Sequence, residues 1–65
     1  MLENANFGDM LITENGIRAV YIRKYDATKQ HFVFLENAVV AYVYDSNGIL
    51  DSQYGLGDEY NLKKS

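Results

Sequence analysis

The apolar residues of this chain fall into short runs rich in β-branched and aromatic side chains, and polar segments separate them. Met10-Leu11-Ile12-Thr13 and Ile17-Arg18-Ala19-Val20-Tyr21-Ile22 flank Glu14-Asn15-Gly16. His31-Phe32-Val33-Phe34-Leu35 and residues 38–44 flank Glu36-Asn37, and Asp45-Ser46-Asn47-Gly48 leads into residues 49–53. Such residues suit a pleated, half-buried surface, so the pattern predicts strands joined as consecutive hairpins. Periodicity alone would also admit a buried helix between Phe32 and Tyr44. The density of Val, Phe and Tyr there, and the polar break at Glu36-Asn37, favour strands.

Asn-Gly between such runs is the strongest short-range hairpin signal, because a tight two-residue turn needs positive φ at both central positions. With Asn15 and Gly16 as the whole loop, Ile12 faces Ala19, Leu11 faces Val20 and Met10 faces Tyr21. Met10, Ile12, Ile17, Ala19 and Tyr21 then share one apolar face, and this is the favoured register. A three-residue loop, Glu14-Asn15-Gly16, would instead pair Thr13 with Ile17 and turn one strand over relative to the other. In the next hairpin a turn at Glu36-Asn37 or at Asn37-Ala38 predicts the same faces. Phe32, Phe34, Val39, Ala41 and Val43 lie on one, and His31, Val33, Leu35, Val40, Tyr42 and Tyr44 on the other. A two-residue turn at Asn47-Gly48 sets Tyr44 opposite Asp51 and Tyr42 opposite Gln53. Residues 26–30 read as a longer, mobile hairpin loop, and 59–62 as a last short strand closing onto the first or as a single helical turn.

Sixty-five residues bound the chain to one domain, divided as a flexible segment 1–6, the β domain 7–62 and a tail 63–65. A chain this short buries about 60% of the surface its unfolded form exposes. It has no cysteine, hence no disulfide and no thiolate site, and self-association gains weight as a way to bury more area. The net charge is −3 and the six basic residues are scattered, which disfavours a nucleic-acid backbone as partner. The apolar run from Phe32 to Tyr44 is too short to cross a bilayer, and the amino terminus lacks a basic region followed by an apolar stretch. The expected location is the cytoplasm, with no membrane partner.

Phe7-Gly8-Asp9-Met10-Leu11-Ile12-Thr13, then Asn15-Gly16, then Ala19-Val20-Tyr21, resembles the opening hairpin of small SH3-like barrels and of small bacterial and phage proteins that begin in this way. The resemblance covers about the first third of the chain. It implies a binding module more than a catalyst and carries over no functional residue; the chain departs from the peptide-binding SH3 domains in lacking Trp and the acidic loop that proline-rich ligands meet, which counts against a proline-motif ligand. The expected fold is therefore all-β, a small five- to six-stranded antiparallel SH3-like barrel or curled meander.

Chemistry-bearing motifs are few. Asp45, Asn47 and Asp51 echo a calcium loop, but Gly48 stands at its fourth position where the sixth is required, and no glutamate follows at the twelfth. His31 is the sole histidine, so a multi-histidine zinc site within one chain is excluded. Gly55-Leu56-Gly57-Asp58-Glu59-Tyr60 begins like a dinucleotide loop and fails at the third glycine. No catalytic, metal or cofactor residue is assigned, and an enzyme is not expected. The candidate binding surface is Tyr42 and Tyr44 on one strand, flanked by His31, Asp51 and Gln53, because tyrosines join broad apolar area to a polar tip. Burial in the barrel core or at its rim is the plainer reading of the same two tyrosines. The expected function is a small protein-interaction module that meets another protein or a second copy of itself. The alternative is a single-stranded nucleic-acid-binding barrel that stacks bases on these aromatics near Arg23 and Lys24.

Overall fold

Four strands follow one another in the computed structural model, which describes residues 1–25 and 28–64: β1 (Met10–Ile12), β2 (Arg18–Lys24), β3 (Gln30–Leu35) and β4 (Tyr42–Asp45). Each pairs antiparallel with the next in sequence, giving one sheet in the order β1-β2-β3-β4. Four strands stand where five or six were expected. Residues 49–53 and 59–62 each contribute a single bridge, Tyr44 to Leu50 and Thr13 to Leu62, and 3-10 helical turns occupy Ser52–Tyr54 and Asp58–Tyr60. No helix among the described residues is long and apolar enough to cross a membrane. Asp26 and Ala27, within the loop expected at 26–30, lie outside the described residues; beside them the Tyr25 amide donates to the Gln30 carbonyl at 2.8 Å.

Both Asn-Gly loops hold one residue more than the favoured reading. Gly16 N–H donates to the Thr13 carbonyl (3.0 Å), Thr13 N–H to the Ile17 carbonyl (2.9 Å), and Ile17 N–H to Thr13 Oγ1 (2.9 Å). The second loop repeats this. Gly48 N–H donates to the Asp45 carbonyl (3.0 Å), Asp45 N–H to the Ile49 carbonyl (3.0 Å), and Ile49 N–H to Asp45 Oδ1 (3.0 Å). Gly16 and Gly48 close their loops at φ +89° and +81°, the left-handed position of a three-residue hairpin loop. The cause lies just before each loop, where a side-chain oxygen takes the amide four residues on and holds the extra residue in place. The favoured register is thereby corrected: Met10 pairs with Val20, Leu11 with Ala19 and Ile12 with Arg18. Tyr44 likewise meets Leu50 instead of Asp51.

The β3–β4 pairing, His31 with Tyr44 and Val33 with Tyr42, has the register of the Asn37-Ala38 turn, and the face assignments of those strands stand. The ladder stops at Tyr42, so 36–41 is a loop, and Val39 within it is 94% exposed. On the inner face Ala19, Tyr21, Val33, Leu35 and Tyr44 are buried. Leu2, Leu50 and Leu62 complete this core, with Tyr54 and Tyr60 packed against it. Leu2 belongs to the segment placed ahead of the domain, yet it is buried, and its amide donates to the Ser46 carbonyl at 2.9 Å. The carboxy-terminal residues clasp both turns together. Glu14 N–H donates to the Asn61 carbonyl, Leu62 N–H to the Gly48 carbonyl and Lys63 N–H to the Ile12 carbonyl, each at 2.8 Å.

Gly48 sits where the clasp meets the second turn. A Cβ there would lie 2.7 Å from Met1 Sδ and 3.2 Å from Leu62 Cβ, whereas one at Gly16 would have nothing within 4 Å. Gly16→Ala is expected to cost roughly 1–2 kcal/mol, the left-handed penalty alone. Gly48→Ala is expected to cost about 1 kcal/mol more, because the exposed Met1 side chain can swing aside while Leu62 Cβ, packed in the core, has to give. Urea unfolding of the two variants checks the order.

Candidate functional site

Tyr42, Tyr44 and His31 do share one face of the sheet, and that face is the inner one. Tyr44 is fully buried, and its hydroxyl donates to the Tyr60 carbonyl at 2.6 Å. Burial, aided by the neighbouring Tyr42 and Tyr54, pushes its phenol up to about 12. Tyr42 is half-buried with its ring edge-on to Tyr54, centroids 4.7 Å apart. Asp51 accepts from Gln30 Nε2 at 3.1 Å and from the Gln53 amide at 3.0 Å, capping the turn at Ser52–Tyr54, and Gln53 itself is exposed. The structure therefore gathers Asp51 and Gln53 into a cap. It buries Tyr44 and His31, which is the plainer of the two readings given for the tyrosines, and leaves them unavailable to a partner. The reason is physical: a single sheet has two faces, and the buried one is whichever the flanking segments cover. Here Leu2, Leu50, Leu62 and the residues of the 3-10 turns come down on the tyrosine side.

His31 is 2% exposed and closes a buried polar chain. Its Nδ1 lies 2.7 Å from the Tyr21 hydroxyl and its Nε2 3.0 Å from Ser46 Oγ, while Ser46 Oγ donates to the Lys29 carbonyl at 3.0 Å. The one proton of Ser46 is thus committed, so Nε2–H donates to Ser46, and in the neutral imidazole Nδ1 accepts from the Tyr21 hydroxyl. This is the reverse of the proton direction that activates a serine nucleophile. Asp45, from the calcium-like stretch, accepts the amides of Asn47 and Ile49 at 2.9 and 3.0 Å. No group of three or more potential metal ligands occurs among the described residues.

The surface left open is the outer face. Met10, Val20 and Phe34 are register partners on three successive strands. Met10 is 67% exposed, Phe34 37%, and Val20 half-buried. In the adjoining row Arg23 pairs with Phe32 and Phe32 with Val43. The Arg23 guanidinium carbon lies 4.9 Å from the centre of the Phe32 ring, and Tyr25 stacks on that ring at 4.9 Å with 23° between planes. At the other end Ile12 pairs with Arg18, whose Nε is 2.6 Å from Glu36 Oε1. The face is apolar in the middle and charged at its margins. Sequence reasoning grouped Phe32, Phe34 and Val43 correctly but did not show that Phe32 and Phe34 stay partly open while Val43 on the same face is buried, because both faces are apolar and alternation does not say which is wet.

No family model matches the chain, and comparison with curated proteins and with solved structures gave no match.

Burial, then the charge of Lys24, lowers the His31 pKa below its usual 6.5, against smaller opposing effects of Glu3 and Asp45. A depressed folded-state pKa gives stability that is full above 6.5 and lost as pH falls through the folded value. Chemical unfolding followed from about pH 7.5 to about pH 5 is expected to show this loss, and His31→Gln to remove the part that begins near 6.5.

Proposed function

We propose that this chain is a small protein-interaction module that associates with a second copy of itself through the outer face of its sheet. The observation that carries the reading is the uncovered row Met10–Val20–Phe34, which crosses three strands. Monomeric proteins seldom leave contiguous apolar patches beyond a few hundred Å², and a two-fold contact buries the same patch on both copies. Charge supports a second copy as the occupant. The margin beside Ile12 carries both signs in the Arg18–Glu36 pair, so the net charge of −3 is not concentrated at the contact. A stable interface takes about 800 Å² from each partner, and the apolar row supplies its dry centre with the charged margins as rim. The chain has no cysteine and no metal cluster among the described residues to supplement a small core, so area buried between copies adds stability that it otherwise lacks.

The finer fold reading that accompanies this function is a small SH3-like barrel. The Thr13–Leu62 bridge and the Leu62 bond to Gly48 support it, since together they carry the chain's end from β1 across to the β4 hairpin. The nucleic-acid alternative draws support from the cluster of Arg23, Tyr25 and Phe32, where a cation and two rings lie together. The overall acidity of the chain weighs against it.

Light scattering at micromolar concentrations is expected to give twice the chain mass for the protein and the single mass for Phe34→Asp, with the circular dichroism of the two alike. A wild-type monomer at about 100 μM, well above the Kd of ordinary specific complexes, overturns the reading, as does a dimer that survives both Phe34→Asp and Val20→Asp. Binding of single-stranded oligonucleotide that weakens steeply with salt would instead favour the alternative.

A further inference from the structure

The free side of β1 carries more than an unfinished edge. Pairing with β2 runs through Asp9, whose carbonyl accepts from Tyr21 N–H at 2.9 Å, and through Thr13, whose amide donates to Ile17 at 2.9 Å. Because an antiparallel ladder alternates, the backbone groups of Met10 and Ile12 point to the other side. There the carboxy-terminal segment makes one bond, Lys63 N–H to the Ile12 carbonyl at 2.8 Å. The Met10 N–H and C=O and the Ile12 N–H bond to no other segment among the described residues.

They open into a groove of about 910 Å³ between the two ends of the chain. Leu2 and Leu11 line it from the inner side of the sheet and Met10 and Ile12 from the outer, while Lys63, bonded to Ile12, and the Lys64 that follows it complete the lining. Neither lysine forms a salt bridge among the described residues. Asp9 is the one acidic side chain among the described residues that line the groove, and Arg18, which also lines it, is paired with Glu36, so Lys63 and Lys64 carry the positive charge of this edge in a chain of net charge −3.

We propose that the groove binds an extended, acidic segment of a partner polypeptide, added to β1 as a further strand. The three unused backbone groups supply the ladder, which gives affinity without regard to sequence. A strand sends alternate side chains to opposite faces, so the segment's apolar residues meet the half-buried Leu11 on one side and Met10 and Ile12 on the other. Its carboxylates meet Lys63 and Lys64. A single extended chain reaches an edge set between two terminal segments, where the edge of another folded sheet does not. The groove shares Met10 and Ile12 with the face proposed for self-association, so the Phe34→Asp chain, altered on the face and not in the groove, keeps the two readings distinguishable.

The test uses a synthetic peptide alternating valine with glutamate, its valine–lysine counterpart, and both the wild-type chain and Phe34→Asp. The glutamate peptide is expected to bind both proteins, with the Met10 and Ile12 amides gaining protection from hydrogen exchange. Lys63→Glu with Lys64→Glu should weaken it at least tenfold and favour the lysine peptide instead. Met10→Pro removes an outward N–H while sparing the bonds to β2 and should abolish binding; the lysine variants, at exposed positions, carry the test if that chain does not fold. Equal binding of the two peptides, or no new protection at Met10 and Ile12, overturns the proposal whatever the oligomeric mass.

Discussion

Thr13 Oγ1 and Asp45 Oδ1 each accept an amide from four residues on, at 2.9 and 3.0 Å, and each bond holds a third residue in an Asn-Gly loop. That extra residue sets the pairing of β1 with β2 and of β4 with Leu50. It therefore decides which side chains are neighbours on both faces of the sheet. Shifting one register by a residue would send Ala19 and Tyr21 to the side of Met10 and Ile12, and neither the core nor the outer row would exist in its present form. The carboxy-terminal clasp reinforces the same choice, since Glu14 and Asn15, both loop residues, donate to the carbonyls of Asn61 and Glu59 at 2.8 and 2.9 Å.

The core so formed is small and unusually polar at its edges. Thr13 and His31 are buried in it, and Tyr21 and Tyr44 bring hydroxyls inside. Each has a partner: Thr13 holds the Ile17 amide, Tyr21 bonds His31, and Tyr44 bonds the Tyr60 carbonyl. No buried side-chain nitrogen or oxygen among the described residues lacks a hydrogen bond. Such bonds are directional, and leaving one unmade inside a core costs about 1–3 kcal/mol. They penalise alternative packings of a sheet whose apolar alternation fits more than one.

With the tyrosines committed to packing, contact with other molecules falls to the outer face and to the β1 edge, where Met10 and Ile12 belong to both. The two surfaces work by different physics. The face offers apolar area and aromatic rings, suited to another flat surface; the edge offers backbone hydrogen bonds between apolar walls with positive charge beside them, suited to a thin extended chain. A short, partly covered edge strand is also how small sheets avoid indiscriminate pairing, and β1 is three residues long with its last carbonyl already taken by Lys63.

The strand class, the order of hairpins, the positions of both Asn-Gly corners and the two faces of β3 and β4 were legible in residue types alone, because turn chemistry and two-residue alternation are local. The favoured loop length was not, although Thr13 and Asp45 stand at equivalent places before Glu14-Asn15-Gly16-Ile17 and Ser46-Asn47-Gly48-Ile49, and that recurrence is the signal that could have found it. Which face is buried lay beyond any local pattern. Phe32 and Phe34 are as apolar as Val33 and Leu35, and the choice between them was made by Leu2, Leu50 and Leu62, side chains distant in sequence that fold over one side and leave the other open.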